Sequence, residues 1–272
     1  MNRTRLQAGF VGAGNMGQAL IAGIANAGID TTQIGIAEPD AARAQDLQGR
    51  FPGVALRTPS ELAEQARTLV LAVKPQVLPE LAPSLAAAVS NARPLVISVA
   101  AGISTRQLAA WLGAKTRIIR AMPNTPALVG AGIAGLFAND YATAADRDTA
   151  DRLLGAVGTT VWLGNEEQMH AVTATSGSGP AYVFLLIEAM TAAAEKLGLD
   201  TATARQLSLA TVAGAAQLAT DSTETATQLR ARVTSPGGTT ERAIAVLQEG
   251  GFAELLSVAM SASAARSREL GR

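Results

Sequence analysis

The chain alternates short, largely apolar runs with longer segments whose apolar residues recur every three or four positions. The short runs are Ala8–Val11, Ile34–Ala37, Val54–Leu56, Leu69–Val73, Leu95–Val99 and Arg117–Ala121. An apolar run of this length, bounded by turn residues, predicts a strand covered on both faces. Helical spacing covers Met16–Ala27, Asp40–Arg50, a short segment opening at Ser60 and Glu61, Pro75–Val89, and a stretch capped by Ser104 or Thr105 that runs to Leu112. Pro52-Gly53 reads as a turn. Strand followed by helix, repeated, predicts a mostly parallel sheet with helices on its faces. After Ala121 the pattern loosens. Gly132–Ala138 reads as a strand or hairpin, Thr143 to about Val157 as a helix, and Thr159–Leu163 as a last strand. From Glu166 onward strand signals stop, and Tyr182–Leu197, Thr201–Thr220, Thr225–Val233, Thr239–Glu249 and Phe252–Leu270 all read as helices. The expected division is an α/β domain over 1–164 and an all-helical domain over 165–272.

The first strand runs directly into Gly12-Ala13-Gly14-Asn15-Met16-Gly17 and then into the first helix. Strand, glycine turn and helix in that order are the context of a Rossmann-type dinucleotide fingerprint. Gly12 makes the tight turn, Gly14 lets a pyrophosphate approach the backbone, and Gly17 lets the helix pack against the strand. The free N–H groups at the helix start, those of Asn15 and Met16 among them, favour phosphate. Glu38, at the end of the second strand, stands about 20 residues after Gly17, the place of an acid on the adenosine ribose. An acid there favours NAD by repelling a 2′-phosphate. Arg43 lies within reach to offset that repulsion, so the choice between NAD and NADP stays open.

The 272 residues are 48% hydrophobic and 16% charged, enough for a sizeable core in one or two domains. Aromatics are 3%, so the core is expected to be built from Ala, Leu, Val and Ile. With 22 basic and 22 acidic residues and no basic stripe, no nucleic-acid partner is expected. The absence of cysteine excludes disulfides and thiolate sites, and the lone His170 excludes a histidine-cluster metal site. His170 sits in an apolar helical face, the place of a packed core histidine rather than an acid. The start of the chain has no apolar leader, and no apolar run reaches the ~20 residues of a membrane-spanning helix. A cytoplasmic protein is expected.

Four further segments rich in glycine, proline and hydroxyls stand out. Ala72-Val73-Lys74-Pro75 and Met122-Pro123-Asn124-Thr125-Pro126 end strands of the parallel sheet, where ligands of such sheets bind. Ala72, Val73, Lys74, Pro75, Ala101 and Asn124 are therefore expected to line the cofactor crevice. Lys74 is placed either to hold a phosphate or carboxylate or simply to end a strand at the surface. Ser176-Gly177-Ser178-Gly179-Pro180-Ala181-Tyr182 and Ser235-Pro236-Gly237-Gly238-Thr239-Thr240 open helices. A glycine-rich helix start with adjacent hydroxyls suits a small carboxylate. The closely spaced small residues Ala210, Ala213, Gly214, Ala215 and Ala216 suggest helices intertwined with a second subunit.

Together these five segments resemble pyrroline-5-carboxylate reductase, over nearly the whole chain from Gly12 to about Leu270. The resemblance implies reduction of L-1-pyrroline-5-carboxylate to L-proline by NADPH or NADH, the last step of proline biosynthesis. It implies a Rossmann domain followed by a helical dimerisation domain, assembling as a homodimer or as a decamer of five dimers. The substrate site is implied to lie near the dimer interface. By position, Thr240 resembles the threonine whose hydroxyl meets the ring nitrogen, and is the expected catalytic residue. Gly238 and Thr239 resemble the backbone cradle for the carboxylate, with Ser176, Ser235 and Gly237 as further substrate contacts. Glu166 falls where the family has an acid near the substrate.

The chain departs from the family pattern at Glu38, where many members carry serine or threonine. It also departs in Asp221–Ala226, which lacks the usual His-Pro, and at Arg232, where an asparagine is common. Two other readings compete. A 2-hydroxy-acid type reductase on the same scaffold would need a lysine or histidine acid on the first helix of the second domain, and that region offers Lys196, which sits beyond the helix start. A dinucleotide-sensing protein would keep Gly12, Gly14 and Gly17 but need no hydroxyl-rich segment at Ser235–Thr240.

Overall fold

A computed structural model describes residues 5–271. Its strands are β1 (Leu6–Val11), β2 (Ile34–Ala37), β3 (Ala55–Leu56), β4 (Ala66–Leu71), β5 (Leu95–Ser98), β6 (Ile118–Met122), β7 (Gly132–Ala138) and β8 (Gly158–Trp162). Between them run α1 (Asn15–Asn26), α2 (Ala41–Arg50), α3 (Pro59–Gln65), α4 (Leu78–Ala92), α5 (Thr105–Leu112) and α6 (Ala144–Gly155). All eight strands form one sheet in the order β3-β2-β1-β4-β5-β6-β7-β8. Every neighbouring pair is parallel except β6 with β7. The chain reverses its direction of travel across the sheet between β1 and β4. Open α/β sheets bind ligands beyond the carboxyl ends of the strands at such a point.

Alternation along the strands builds a core on each face of the sheet. Phe10, Val70, Ile97 and Ile119 point to one side and pack with Leu20, Ile21 and Ile24 of α1 and Leu154 of α6. Leu69, Leu71, Val96 and Ile118 point to the other side, against Leu78 and Leu85 of α4 and Leu108 of α5. Phe10 is the one aromatic among the largest fully buried side chains, so the expectation of an aliphatic core holds.

The strand expected at Leu69–Val73 instead runs from Ala66 to Leu71. Ala66 pairs with Leu6, and after Leu71 the chain leaves the ladder into the turn at Ala72 and Val73. The short helix opens one residue before Ser60. Thr58 caps it and forms a reciprocal capping box with Glu61, with Pro59 at the first helical position. Ser104 and Thr143 start α5 and α6 in the same way. The Pro75 segment begins as a short 3₁₀ turn, Pro75–Val77, before α4. Gly132–Ala138 is a strand, antiparallel to β6.

After β8 come the one-turn α7 (Met169–Val172), a π-helical turn at Thr173–Gly177, and the helices α8 (Gly179–Lys196), α9 (Thr201–Asp221), α10 (Ala226–Arg232), α11 (Thr239–Glu249) and α12 (Phe252–Leu270). The chain divides into two compact units. One runs to Ser178 and takes back the end of α12 from Ala262; the other is Gly179–Ser261. In the second unit α8 packs on α9. It buries little of its apolar surface: Phe184 and Leu185 are each 64% exposed and Leu255 is 69% exposed. Among the described residues no single helix is long and apolar enough to cross a membrane.

Candidate functional site

The fingerprint glycines differ in what requires them. Gly12 follows β1 with φ +91°, and its N–H donates to Ala37 O at 2.8 Å. A Cβ at Gly12 would stand 2.7 Å from Ala72 O, so the close approach of the β1 and β4 ends excludes a side chain. A Cβ at Gly17 would stand 2.6 Å from Gly12 O, so α1 crosses the strand end only without one. Gly14 is different. Its φ of −68° and ψ of −173° suit any residue, and a Cβ there would meet nothing within 4 Å. The chain itself has no need of glycine at 14. The open space at Gly14 leaves room for a group from outside to approach the backbone closely. Gly14 is also the N-cap of α1, with no side-chain cap and no acid in the first turn. The amides at the start of α1, from Asn15 through Met16 to Gly17, are therefore free for an anion. Fit and chemistry agree with a dinucleotide pyrophosphate.

Glu38 is turned inward. Its side chain is 4% exposed. Oε2 accepts from Ala13 N–H at 2.8 Å, and Oε1 accepts from Asp40 N–H and from the Arg43 guanidinium, both at 3.0 Å. The carboxylate thus ties the glycine turn to the end of β2, and Oε2 keeps acceptor capacity for one hydroxyl. Arg43 is half-exposed at the rim, paired with both Glu38 and Asp40.

The other edge of the crevice is formed by the chain leaving β4 through Ala72, Val73, Lys74 and Pro75, and by Ala101 beyond β5. Lys74 is exposed and has no ion pair among the described residues. Asn124, beyond β6, is buried, and both ends of its carboxamide are committed. Oδ1 accepts from Ile133 N–H at 2.9 Å, and Nδ2 donates to Ser176 O at 3.1 Å. Ser176 itself donates its hydroxyl to Val172 O. The structure thus joins Asn124 and Ser176, which the sequence assigned to different ligands.

In the second unit, Ser235–Gly238 leads into α11 through Gly237 at φ +71°. Gly238 is the N-cap, again with no side-chain cap. The hydroxyls of Ser235, Thr239 and Thr240 form no hydrogen bond among the described residues, and Thr240 is half-buried at the second helical position. Glu241 accepts from Gly237 N–H at 2.8 Å, and the amides of Thr239 and Thr240 form no hydrogen bond among the described residues. Small anions suit such a place.

Glu166 and His170 are internal ties. Glu166 accepts from the N–H and hydroxyl of Thr105, each at 2.7 Å, and pairs with the buried Arg120 at 3.1 Å. His170 is buried and lies 2.9 Å from Ser267 Oγ through Nδ1. Burial holds its pKa below the ordinary imidazole value, with Glu167 opposing and Arg120 and Arg268 adding to the shift. The role of Arg120 could not be read from the sequence, because its partner is contributed by a residue after β8.

Residues 166–270 match the family model for pyrroline-5-carboxylate reductase dimerisation, and residues 7–102 match the model described as NADP oxidoreductase coenzyme F420-dependent. A pyrroline-5-carboxylate reductase of Pseudomonas aeruginosa is 46% identical over 261 residues, covering 96% of this chain and 95% of the relative. The structure of a pyrroline-5-carboxylate reductase from Coxiella burnetii superposes with a TM-score of 0.92 at 39% identity, covering 99% of this chain and 100% of that one. That of Plasmodium falciparum pyrroline carboxylate reductase, with NADP bound, superposes with a TM-score of 0.87 at 29% identity, covering 100% of both. On this likeness in sequence and fold from end to end, the chain belongs to the pyrroline-5-carboxylate reductase family.

Proposed function

We propose that this protein reduces L-1-pyrroline-5-carboxylate to L-proline with NAD(P)H, the last step of proline biosynthesis, in the cytoplasm. A solved relative has NADP bound, which favours NADPH as the reductant here, and Arg43 offers a cation for its 2′-phosphate beside Glu38. The observation that carries the reading is the pair of anion cradles with matching chemistry. α1 and α11 each open on a glycine N-cap without a side-chain cap. One suits a pyrophosphate and the other the carboxylate of a small substrate.

When bound, the dinucleotide supplies the hydride that reduces the C=N bond. Gly12, Ala13, Gly14, Asn15, Met16 and Gly17 hold its pyrophosphate. Ala72–Pro75 and Ala101 line the nicotinamide side. Gly238 and the amides of Thr239 and Thr240 hold the substrate carboxylate, with Ser176, Ser235 and Gly237 as further contacts. Thr240 donates its hydroxyl hydrogen to the ring nitrogen, which draws electron density from the imine carbon. No strong acid is required, because orienting two bound reactants lowers a barrier by up to roughly 7–11 kcal/mol.

The working unit is a homodimer. Residues 1–164 serve the cofactor and 165–272 the substrate and the partner subunit. A decamer of five dimers is the larger assembly the resemblance implies. Thr240→Ala is expected to lower turnover about tenfold, the loss of one hydrogen bond made in the transition state. NADPH affinity, measured by fluorescence titration, should remain unchanged. Unchanged turnover would remove Thr240 from the chemistry.

A further inference from the structure

The segment at Thr173–Ser178 is wound as a π-helical turn: Ser178 N–H donates to Thr173 O, five residues back, at 2.8 Å. Such turns are rare and widen the helix locally. In an α-helical continuation Ser176 O would accept from the N–H of residue 180. That residue is Pro180, which has no N–H. The missing donor comes from outside the helix, as Asn124 Nδ2 donates to Ser176 O at 3.1 Å. The other end of the same carboxamide accepts from Ile133 N–H at 2.9 Å at the start of β7. One partner is a donor and the other an acceptor, so the orientation of the amide is fixed. A second contact reinforces the junction. A Cβ at Gly177 would stand 2.7 Å from Met122 Cε, so the end of β6 packs directly on the backbone of this turn.

We infer that Asn124 is a positioning residue. Its carboxamide replaces the backbone donor that Pro180 lacks and so fixes Ser176–Ser178 against the end of β6. The hydroxyl-rich segment before α8 is held in one place for substrate, and the side chain of Asn124 serves this segment rather than the cofactor. The inference rests on the reductase reading only for its kinetic consequence; the structural tie stands apart from it.

Asn124→Asp keeps the acceptor for Ile133 N–H but sets an oxygen against Ser176 O. In the NADPH-bound dimer, the KM for pyrroline-5-carboxylate is expected to rise about tenfold, as when a buried hydrogen bond is broken. The NADPH dissociation constant should stay within about twofold of wild type. Amide hydrogen exchange over 173–178, followed by mass spectrometry, should accelerate. Adding Pro180→Ala restores an N–H at position 180, and the double variant should recover slow exchange and most of the lost KM. Weakened NADPH binding with unchanged exchange would overturn the inference in favour of a direct cofactor contact. A double variant no better than Asn124→Asp would overturn the idea that Asn124 stands in for Pro180. Wild-type protein that fails to turn over pyrroline-5-carboxylate would refute the reductase reading alone, and the exchange rates of the single and double variants would still decide the role of Asn124.

Discussion

Residues of one type in one motif are constrained by different physics here. Gly17 is glycine because a Cβ would meet a backbone oxygen at 2.6 Å, and neither partner can move without shifting β1 or α1. Gly14 has open space and an ordinary backbone conformation. Gly17→Ala should therefore destabilise the fold by about 1–3 kcal/mol, the usual cost of overpacking. Gly14→Ala should cost less, about 0.5–1 kcal/mol, the preference of an N-cap for glycine over alanine. Its NADPH affinity should nevertheless fall about tenfold or more, because the added methyl occupies the approach of the pyrophosphate. Thermal melts and fluorescence titrations separate the two effects. Gly14→Ala protein that binds NADPH like wild type would mean that nothing approaches the backbone there.

At the scale of elements, the end of α12 belongs to the first unit and is tied to α7 by Ser267 with His170 and to the 3₁₀ turn before α7 by Arg268 with Glu167. The His170 pKa is lowered from 6.5, chiefly by burial. The neutral ring is thus the form the fold favours. Its contribution is complete above the unfolded value and is lost as pH falls through the lower folded value. Thermal stability should decline as the protein is acidified below 6.5. His170→Asn should be less stable at neutral pH but show a shallower decline in the same range, measured by melts across pH. An equally steep decline in the variant would assign the effect to carboxylates instead.

The elements legible in the sequence were those with strong periodicity. The short runs over Ile34–Ala37 and Leu95–Val99 are strands of the parallel sheet, and the glycine fingerprint sits at its turn. Boundaries set by pairing were not legible. Ala66 joins β4 only because Leu6 lies beside it, which composition does not reveal. Side-chain commitments were the least legible. Glu38 also holds Ala13 N–H, and Asn124 also bridges Ile133 and Ser176, ties that no motif announces. Each depends on a backbone group brought close by the fold. The missing N–H of Pro180 was the one sign in the sequence that an outside donor was needed.

For the whole molecule, the exposed apolar side chains of Gly179–Ser261 set the requirement. Burying a large aliphatic or aromatic side chain contributes about 1.5–3 kcal/mol, and Phe184, Leu185 and Leu255 leave most of theirs unrealised in one chain. The match to a dimerisation model over 166–270 agrees with a second copy covering this surface. Sedimentation should find a dimer or a multiple of one. Phe184→Glu with Leu185→Glu should shift it toward monomer and lower turnover, while NADPH binding by the first unit persists. A wild-type monomer that is fully active would contradict this picture. The reaction itself is read by NADPH and NADH oxidation by the purified protein with pyrroline-5-carboxylate, with proline quantified as product. Turnover with stoichiometric proline is expected, with NADPH used. A folded dimer that binds NADPH but forms no proline with either cofactor would rule out a pyrroline-5-carboxylate reductase activity.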